Sequence, residues 1–377
     1  NIKTDYKDSD FIGRIYEYFL KKFALNEGKK KGEFYTPKSV VQLITELIEP
    51  YNGKIYDPCC GSGGMFVQSV KFIEAHKGNK KNISIYGQEA TDTTFKLAKM
   101  NLAIRGISAN LGVSDDTFLH DQHIGLKADF IMANPPFNQK DWRDEEQLIN
   151  DPRWLGYDTP PVSNANYAWI LHMISKLSKN GIAAFVLANG ALSGGGEEYK
   201  IRKKMIENDL VESIIILPRD IFYTTDISVT LWIINKNKDK NNKSSLHKNY
   251  RNRKNEILFI DLRRFGTEFE KKFIELSSDD ILKVKNIFHN WQTDKFKKEY
   301  KDVPEFCKSI KIDEIKSNDY SLIPSKYIPF VDKDLTLDFD KEYESLEKKM
   351  VTILKDDETN NKELTKIINQ IKDDLKI

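Results

Sequence analysis

The chain of 377 residues has room for roughly two to three folding units, which excludes a peptide-scale or disulfide-stapled scaffold. Its 40% of AVILMFWYC residues, with 21 Phe and 16 Tyr, is too much large apolar material for a wholly disordered chain. Lys and Arg number 59 against 57 Asp and Glu, a net charge of +2, so any surface for a polyanion has to be local.

Along residues 9–25, Phe11, Ile15, Tyr18, Phe19 and Phe23 fall at helical spacing behind Ser9 and Asp10, which predicts a helix packed onto the next domain. Thr36-Pro37 reads as an N-cap followed by proline at the first helical position, and Val40, Val41, Ile44, Leu47 and Ile48 form the apolar stripe behind it. From residue 54 short apolar segments alternate with amphipathic ones. Strands are predicted at 54–57, 83–88, 109–113, 128–133, 182–188, 211–217 and 227–234, and helices at 64–76, 91–105, 166–179 and 197–208. This alternation predicts βαβ units and an α/β fold with a mostly parallel sheet covered on both faces.

Two stretches break the rhythm. Residues 138–165 are polar, contain Pro152, Pro160 and Pro161, and are too long for an ordinary connection, so a mobile lid or a substrate-covering loop is predicted. Residues 236–256 hold eight Lys or Arg against two acids and read either as a solvated loop or as a phosphate-contacting one. A strand at 257–262 and a helix near 278–291 follow, then NDYSLIPSKYI at 318–328. In 338–377, Tyr343, Leu346, Met350 and Ile353, then Leu364, Ile367, Ile371 and Leu375, mark a narrow apolar seam on two charged helices around the polar break DDETNN. Such a seam either folds back on its own domain or makes a coiled-coil contact with another subunit.

Cys59, Cys60 and Cys307, an odd number with two adjacent, suit a reducing compartment, and the cytoplasm is the expected location. No apolar run approaches the roughly 20 residues of a membrane helix, so no membrane is expected as a partner. No signal-peptide pattern is visible, and a start at Asn1 rather than Met is what a fragment would show.

Asp57-Pro58-Cys59-Cys60-Gly61-Ser62-Gly63-Gly64 follows a strand and opens a helix. Glycines there let the backbone approach a ligand, and the helix start presents unpaired N–H groups; a merely tight strand–helix corner is the competing reading. Glu89 ends the next predicted strand, where a carboxylate can accept both hydroxyls of a ribose. Adenosine-containing cofactors come forward as a group, and NAD falls behind because position 66 is Phe, breaking GxGxxG. Asn134-Pro135-Pro136-Phe137 then follows the strand ADFIMA directly. Two prolines withhold N–H groups and leave the Asn134 side-chain oxygen and nearby carbonyls as acceptors, which is what an exocyclic amine such as adenine N6 needs; Phe137 can stack on the base. His120, His123 and Cys307 show no metal-ligand spacing, so no metal is expected.

These motifs resemble the N6-adenine DNA methyltransferases, above all the modification subunit of type I restriction–modification systems. The matching residues are Gly32-Glu33-Phe34-Tyr35-Thr36-Pro37, the turn from Asp57 to Gly64, Asp116-Thr117-Phe118, Asn134-Pro135-Pro136-Phe137 and the segment Tyr320 to Ile328. The resemblance implies a Rossmann-like, S-adenosylmethionine-dependent methyltransferase fold with a seven-stranded sheet whose last strand is antiparallel. It implies S-adenosylmethionine held by Phe34, Tyr35, Thr36 and Pro37, by Asp57, Cys59, Gly61 and Gly63, by Glu89 at the ribose and by Asp116 at the adenine, with Asp115 an adjacent competitor. It assigns catalysis at a flipped adenine to Asn134, Pro135, Pro136 and Phe137. The partners it implies are duplex DNA and a separate specificity subunit, two modification subunits to one, with a restriction subunit as a further associate. Expected domains are the end of an N-terminal helical domain at 1–33, a catalytic domain at 34–265, its extension at 266–337 and a helical tail for subunit contact at 338–377. Two other readings stay open: a catalytically silent assembly subunit on the same fold, and a methyltransferase acting on RNA or protein amines.

Overall fold

A computed structural model describes residues 12, 13, 15–19, 22, 35–223, 227–239, 250–270, 272–294, 297–331 and 339–375, with the side chains of 339–342 and 371–375 excepted. Phe11, Phe23 and Phe34 lie outside the described residues, as does the middle of the basic run, 240–249. Residues up to Pro329 form one compact unit and those from Phe330 onward a second.

The first unit alternates as the apolar spacing predicts. Helix α1 (Lys38–Ile48) leads into strand β1 (Gly53–Asp57), helix α2 (Gly64–Ala75), β2 (Ile83–Gly87), α3 (Asp92–Ile104), β3 (Ala109–Asn110) and β4 (Ala128–Ala133). After the long loop come α4 (Asn166–Lys176), β5 (Leu177–Ala188), α5 (Gly196–Glu207), β6 (Val211–Ile216), β7 (Val229–Asn235) and β8 (Glu256–Asp261). A two-stranded ribbon, β9 (Thr267–Phe269) and β10 (Phe273–Glu275), precedes α6 (Ser278–Gln292), β11 (Cys307–Lys311) and α7 (Ile312–Ser317). The main sheet has nine strands in the order β11-β8-β6-β7-β5-β4-β1-β2-β3. Strand β7 runs antiparallel to both its neighbours, β5 and β6, while β1, β2, β3, β4 and β5 are mutually parallel. Seven of the nine strands thus take the expected arrangement, and β8 and β11 extend the sheet past β6.

Side chains alternate across this sheet with period two, and both faces are apolar. Ile55, Phe130, Met132, Ala184 and Val186 point to one core with α1, α2 and α6, whereas Tyr56, Ile131, Ala133, Phe185 and Leu187 point to the other with α4 and α5. Covering both faces leaves only the strand ends open, which is where an α/β sheet binds ligands.

Three expectations change. Helix α1 starts at Lys38 with Pro37 as its N-cap and no capping side chain, so the Thr36 hydroxyl is left for another task. Of the two readings of the 138–165 segment, the mobile lid gives way to a packed loop: Trp142 and Trp154 are buried, the Trp142 indole donates to the Pro161 carbonyl at 2.8 Å, and the Arg153 guanidinium donates to the carbonyls of Thr117 and Phe118. In the second unit the polar break is no break, since α8 (Phe339–Leu375) is a single helix through DDETNN. No Gly or Pro interrupts it, and Asp, Thr and Asn each cost only about 0.7 kcal/mol or less in a helix.

The described part of the basic run is structural. Arg253 Nε donates to Glu212 Oε1 at 2.8 Å with both side chains fully buried, and Asn235 Nδ2 and Gln292 Nε2 also donate to that carboxylate. This cluster ties the ends of β6 and β7 to α6. Arg253→Ala is expected to cost about 3–5 kcal/mol of unfolding free energy by stranding a buried carboxylate, with most of it recovered in Arg253→Met combined with Glu212→Leu. Chemical denaturation of the three variants checks this.

Candidate active site

The glycine turn leaves β1 at Asp57, whose Oδ1 accepts the Cys59 amide at 3.0 Å. The Cys60 amide donates to the Gln88 carbonyl and the Gly63 amide to the Cys60 carbonyl, closing the turn between β1 and β2. Gly61 and Gly63 take φ values of 54° and 78°, the left-handed region where a side chain is strained, and Gly63 is the N-cap of α2. Glu89 locks the turn from the side: its Oε2 accepts the Gly61 amide at 3.0 Å and its Oε1 the Thr91 amide at 2.9 Å. Each carboxylate oxygen keeps a further lone pair for a hydroxyl donor.

A cavity of about 910 Å³ opens over this turn, at the carboxyl ends of β1, β2 and β4. Among the expected site residues it is lined by Tyr35, Thr36, Asp57, Cys59, Gly61, Glu89, Asp116, Asn134 and Pro136. Asp115 does not line it, and the Oδ1 of Asp115 is engaged by His120 and by the Asp116 amide. Asp116 Oδ1 accepts the amides of Phe118 and Leu119, while Oδ2 has no hydrogen bond among the described residues. Four expected residues stand off the cavity. Gly63 packs toward Leu102, Pro37 and Pro135 are buried, and Phe137 sits edge-to-face on Phe222 with ring centroids 5.8 Å apart.

Asn134 follows β4 and faces α1. Its Nδ2 donates to Thr36 Oγ1 at 3.1 Å, which is the task the hydroxyl performs in place of capping the helix. Its Oδ1 is buried and has no hydrogen-bond partner among the described residues. A buried acceptor left without a donor costs about 1–3 kcal/mol, and here it borders the cavity, where a ligand amine can satisfy it.

Burial holds the Asp57 carboxyl up to about 7, against the Cys59 amide, which lowers it; the Glu89 charge raises it further. Burial first, then the Asp57 and Glu89 charges, push the thiols of Cys59 and Cys60 up, so neither is poised as a thiolate nucleophile. No group of three or more His, Cys, Asp or Glu among the described residues is arranged to hold a metal.

Sequence reasoning missed several walls of the cavity. Tyr16 and Phe19 line it from the helical residues 15–19, with Tyr16 Oη donating to the Leu97 carbonyl at 2.9 Å and Arg105 bonding Gly13 and Glu17. Their spacing signalled only a packing face. Gln139 and Trp169 also line it; the first sits in a polar loop and the second in an apolar helix that reads as core.

Sheet order, the antiparallel β7, the glycine turn after β1 and the acid after β2 together define an S-adenosylmethionine-dependent methyltransferase fold. The model of the N-6 DNA Methylase family matches residues 7–334, and the chain belongs to that family. It is 48% identical over 321 residues to the type I restriction enzyme HindI methylase subunit of Haemophilus influenzae, covering 85% of this chain and 68% of the relative. It is 35% identical over 371 residues to the MjaIX methylase subunit of Methanocaldococcus jannaschii, covering 97% of this chain and 64% of that one. The crystal structure of a type I restriction-modification methyltransferase subunit from Streptococcus thermophilus superposes with a TM-score of 0.71 at 27% identity, covering 85% of this chain and 64% of that one. The chain therefore spans about two thirds of the length of these relatives.

The cavity fits the cofactor of this fold: it has the volume for a nucleoside and more, a carboxylate fixed beside a left-handed Gly61, and a second carboxylate oxygen, on Asp116, still open.

Proposed function

We propose that the chain transfers a methyl group from S-adenosylmethionine to N6 of an adenine flipped from duplex DNA, as the modification subunit working with a separate specificity subunit. The observation that carries this reading is the orphaned Asn134 Oδ1 bordering the same cavity as Gly61 and Glu89. The proposed cofactor-holding groups and an acceptor for an amine border one cavity.

When bound, S-adenosylmethionine supplies an electrophilic methyl on a sulfonium sulfur. The chain does the positioning. Asn134, its amide oriented by the hydrogen bond to Thr36, accepts a hydrogen from the target amine and favours a pyramidal nitrogen whose lone pair faces the methyl. Pro135 and Pro136 stiffen the backbone beside it. Phe137 is proposed as the stacking ring, turning from Phe222 to the base; stacking and the hydrogen bond offset the few kcal/mol of flipping. Glu89 is proposed at the ribose, Asp116 rather than Asp115 at the cofactor adenine, and Tyr35, Thr36, Asp57, Cys59 and Gly61 around the rest, with Gly63 shaping the turn.

Two copies to one specificity subunit, a restriction subunit as a further associate, and a cytoplasmic setting belong to the same proposal. The exposed apolar seam of α8 and the three free cysteines support it. No helix among the described residues is long and apolar enough to cross a membrane.

Labelled methyl incorporation, followed by nucleoside analysis, tests the reading. With a specificity subunit, label is expected in N6-methyladenine of duplex DNA. Label in RNA or protein instead, or none despite cofactor binding, would overturn it in favour of another amine acceptor or a silent subunit.

The Asp57 carboxyl adds a pH prediction. Below about 7 it is largely protonated and neutral beside a cationic ligand; above, it is charged. S-adenosylmethionine affinity is expected to rise between pH 6 and pH 8, by no more than about tenfold per unit, and to flatten in Asp57→Asn. Calorimetry across that range checks it. The linked stability runs the other way: a folded-state value raised above the unfolded one means stability is lost as pH climbs from about 4 to about 7.

A further inference from the structure

Gln139 lines the cavity from the loop just beyond Phe137, held by two hydrogen bonds of its own and by its anchored neighbour Asn138. Its backbone carbonyl accepts the Ala165 amide at 2.9 Å. The preceding Asn138, at φ 52°, exchanges hydrogen bonds with Asn166 at the start of α4: its amide donates to Asn166 Oδ1 at 3.1 Å and its Oδ1 accepts from Asn166 Nδ2 at 2.9 Å. The side chain is oriented as well, because the Trp169 indole Nε1 donates to Gln139 Oε1 at 3.3 Å. That contact fixes which end of the amide is free. Gln139 Nε2, a two-hydrogen donor, has no partner among the described residues.

Trp169 packs its ring on Phe118 at 4.2 Å between centroids, and the Phe118 amide donates to Asp116 Oδ1. Gln139 and Asp116 are thereby set by the same aromatic pair, and both border the cavity, one offering a donor and the other the unpaired acceptor Oδ2. Adenine presents the complementary pattern, an amine donor beside a ring-nitrogen acceptor. Hypoxanthine and guanine present the reverse at their Watson–Crick edge, a carbonyl acceptor beside a ring N–H.

We propose that Gln139 is a cofactor-binding and specificity-determining residue: its Nε2 donates to the ring nitrogen beside the amine of the cofactor's adenine, while Asp116 Oδ2 accepts from that amine. This rests on the cofactor reading of the cavity. It adds to that reading a donor that none of the sequence motifs contains, set by a tryptophan from a different helix.

The test is calorimetric binding of S-adenosylhomocysteine and its 1-deaza, 7-deaza and inosyl analogues to the full chain, wild type and Gln139→Met. Methionine keeps length and loses the donor, and thermal unfolding of each protein shows that it is folded. Gln139→Met is expected to bind S-adenosylhomocysteine about tenfold more weakly, the effect of one lost hydrogen bond. One deaza analogue is expected to cost the wild type a similar factor and the variant nothing further, which identifies the ring nitrogen. The inosyl analogue is expected to bind the wild type worst of all. Binding within twofold of wild type, or deaza losses equal in both proteins, overturns the proposal. So does normal cofactor binding with a deaza coupling found on the target adenine instead, which would make Gln139 a reader of the substrate base. A wild type that binds none of these compounds refutes the cofactor reading itself, a separate outcome.

Discussion

Asn134→Ala is expected to lower the rate of methyl transfer by about 10²–10³-fold while leaving S-adenosylhomocysteine binding within about twofold. The Asn134 side-chain carbonyl is buried, has no partner among the described residues and is oriented through Thr36, so its free energy of hydrogen bonding is unspent until an amine enters. An acceptor that is fixed beforehand needs no reorganisation during the reaction, which is where such groups gain their effect. Removing it takes away both the polarisation of the amine and the alignment of its lone pair. The proposed cofactor-holding residues Gly61 and Glu89, bonded to each other, belong to other elements and stay. Thr36→Val tests the orientation: it keeps the Asn134 acceptor but releases the amide, and a loss of about tenfold in single-turnover rate is expected once saturating cofactor has offset any loss of cofactor affinity. Single-turnover kinetics under saturating cofactor reads both variants. An Asn134→Ala protein retaining more than about a tenth of the wild-type rate would remove Asn134 from the chemistry.

The strands from β1 to β8 were largely legible because buried parallel strands read as short apolar runs between glycine, proline and polar punctuation. β3 was drawn too long: pairing stops at Asn110, and Gly112 turns the chain at φ 61°. β11 escaped notice because CKSIK, at the edge of the sheet, buries only Cys307 and Ile310 and carries two lysines. Its pairing with β8 is long-range, and no local pattern announces it. In the site, the glycine turn, Glu89 and Asn134 could be found from residue type and position after a strand. The destination of the Thr36 hydroxyl could not, since a Thr-Pro pair signals a cap equally well, and only the tertiary approach of β4 supplies its donor. The 138–165 loop misled for a similar reason. Its polarity and prolines describe the surface it shows, whereas Trp142, Trp154 and Arg153 decide how it packs. Gln139 and Trp169 are ordinary residues in sequence, 30 positions apart, and acquire a role only by meeting at the cavity wall.

Substituting alanine for Leu346, Met350 and Ile353 together is expected to abolish stable association with the specificity subunit, a loss of at least about 10³-fold in affinity, while cofactor binding by the same full-length chain is unchanged. These three residues recur at spacings of four and three on one side of α8 and are 58%, 64% and 66% exposed, and the first unit is compact up to Pro329 without them. Burying such side chains is worth about 1.5–3 kcal/mol each, so a triple truncation exceeds what most subunit contacts can lose, even with incomplete additivity. Continuing the same heptad from Met350 places Asp357 and Asn360 in the seam before Leu364 and Ile367 resume it. Polar residues at such positions weaken a coiled coil and select register and partner. Asp357→Leu with Asn360→Leu is therefore expected to act oppositely to the triple alanine variant, promoting self-association of the chain in place of the mixed assembly. Analytical ultracentrifugation with and without the specificity subunit distinguishes the two outcomes; a triple alanine variant that still sediments as the full complex would assign the subunit contact to another surface.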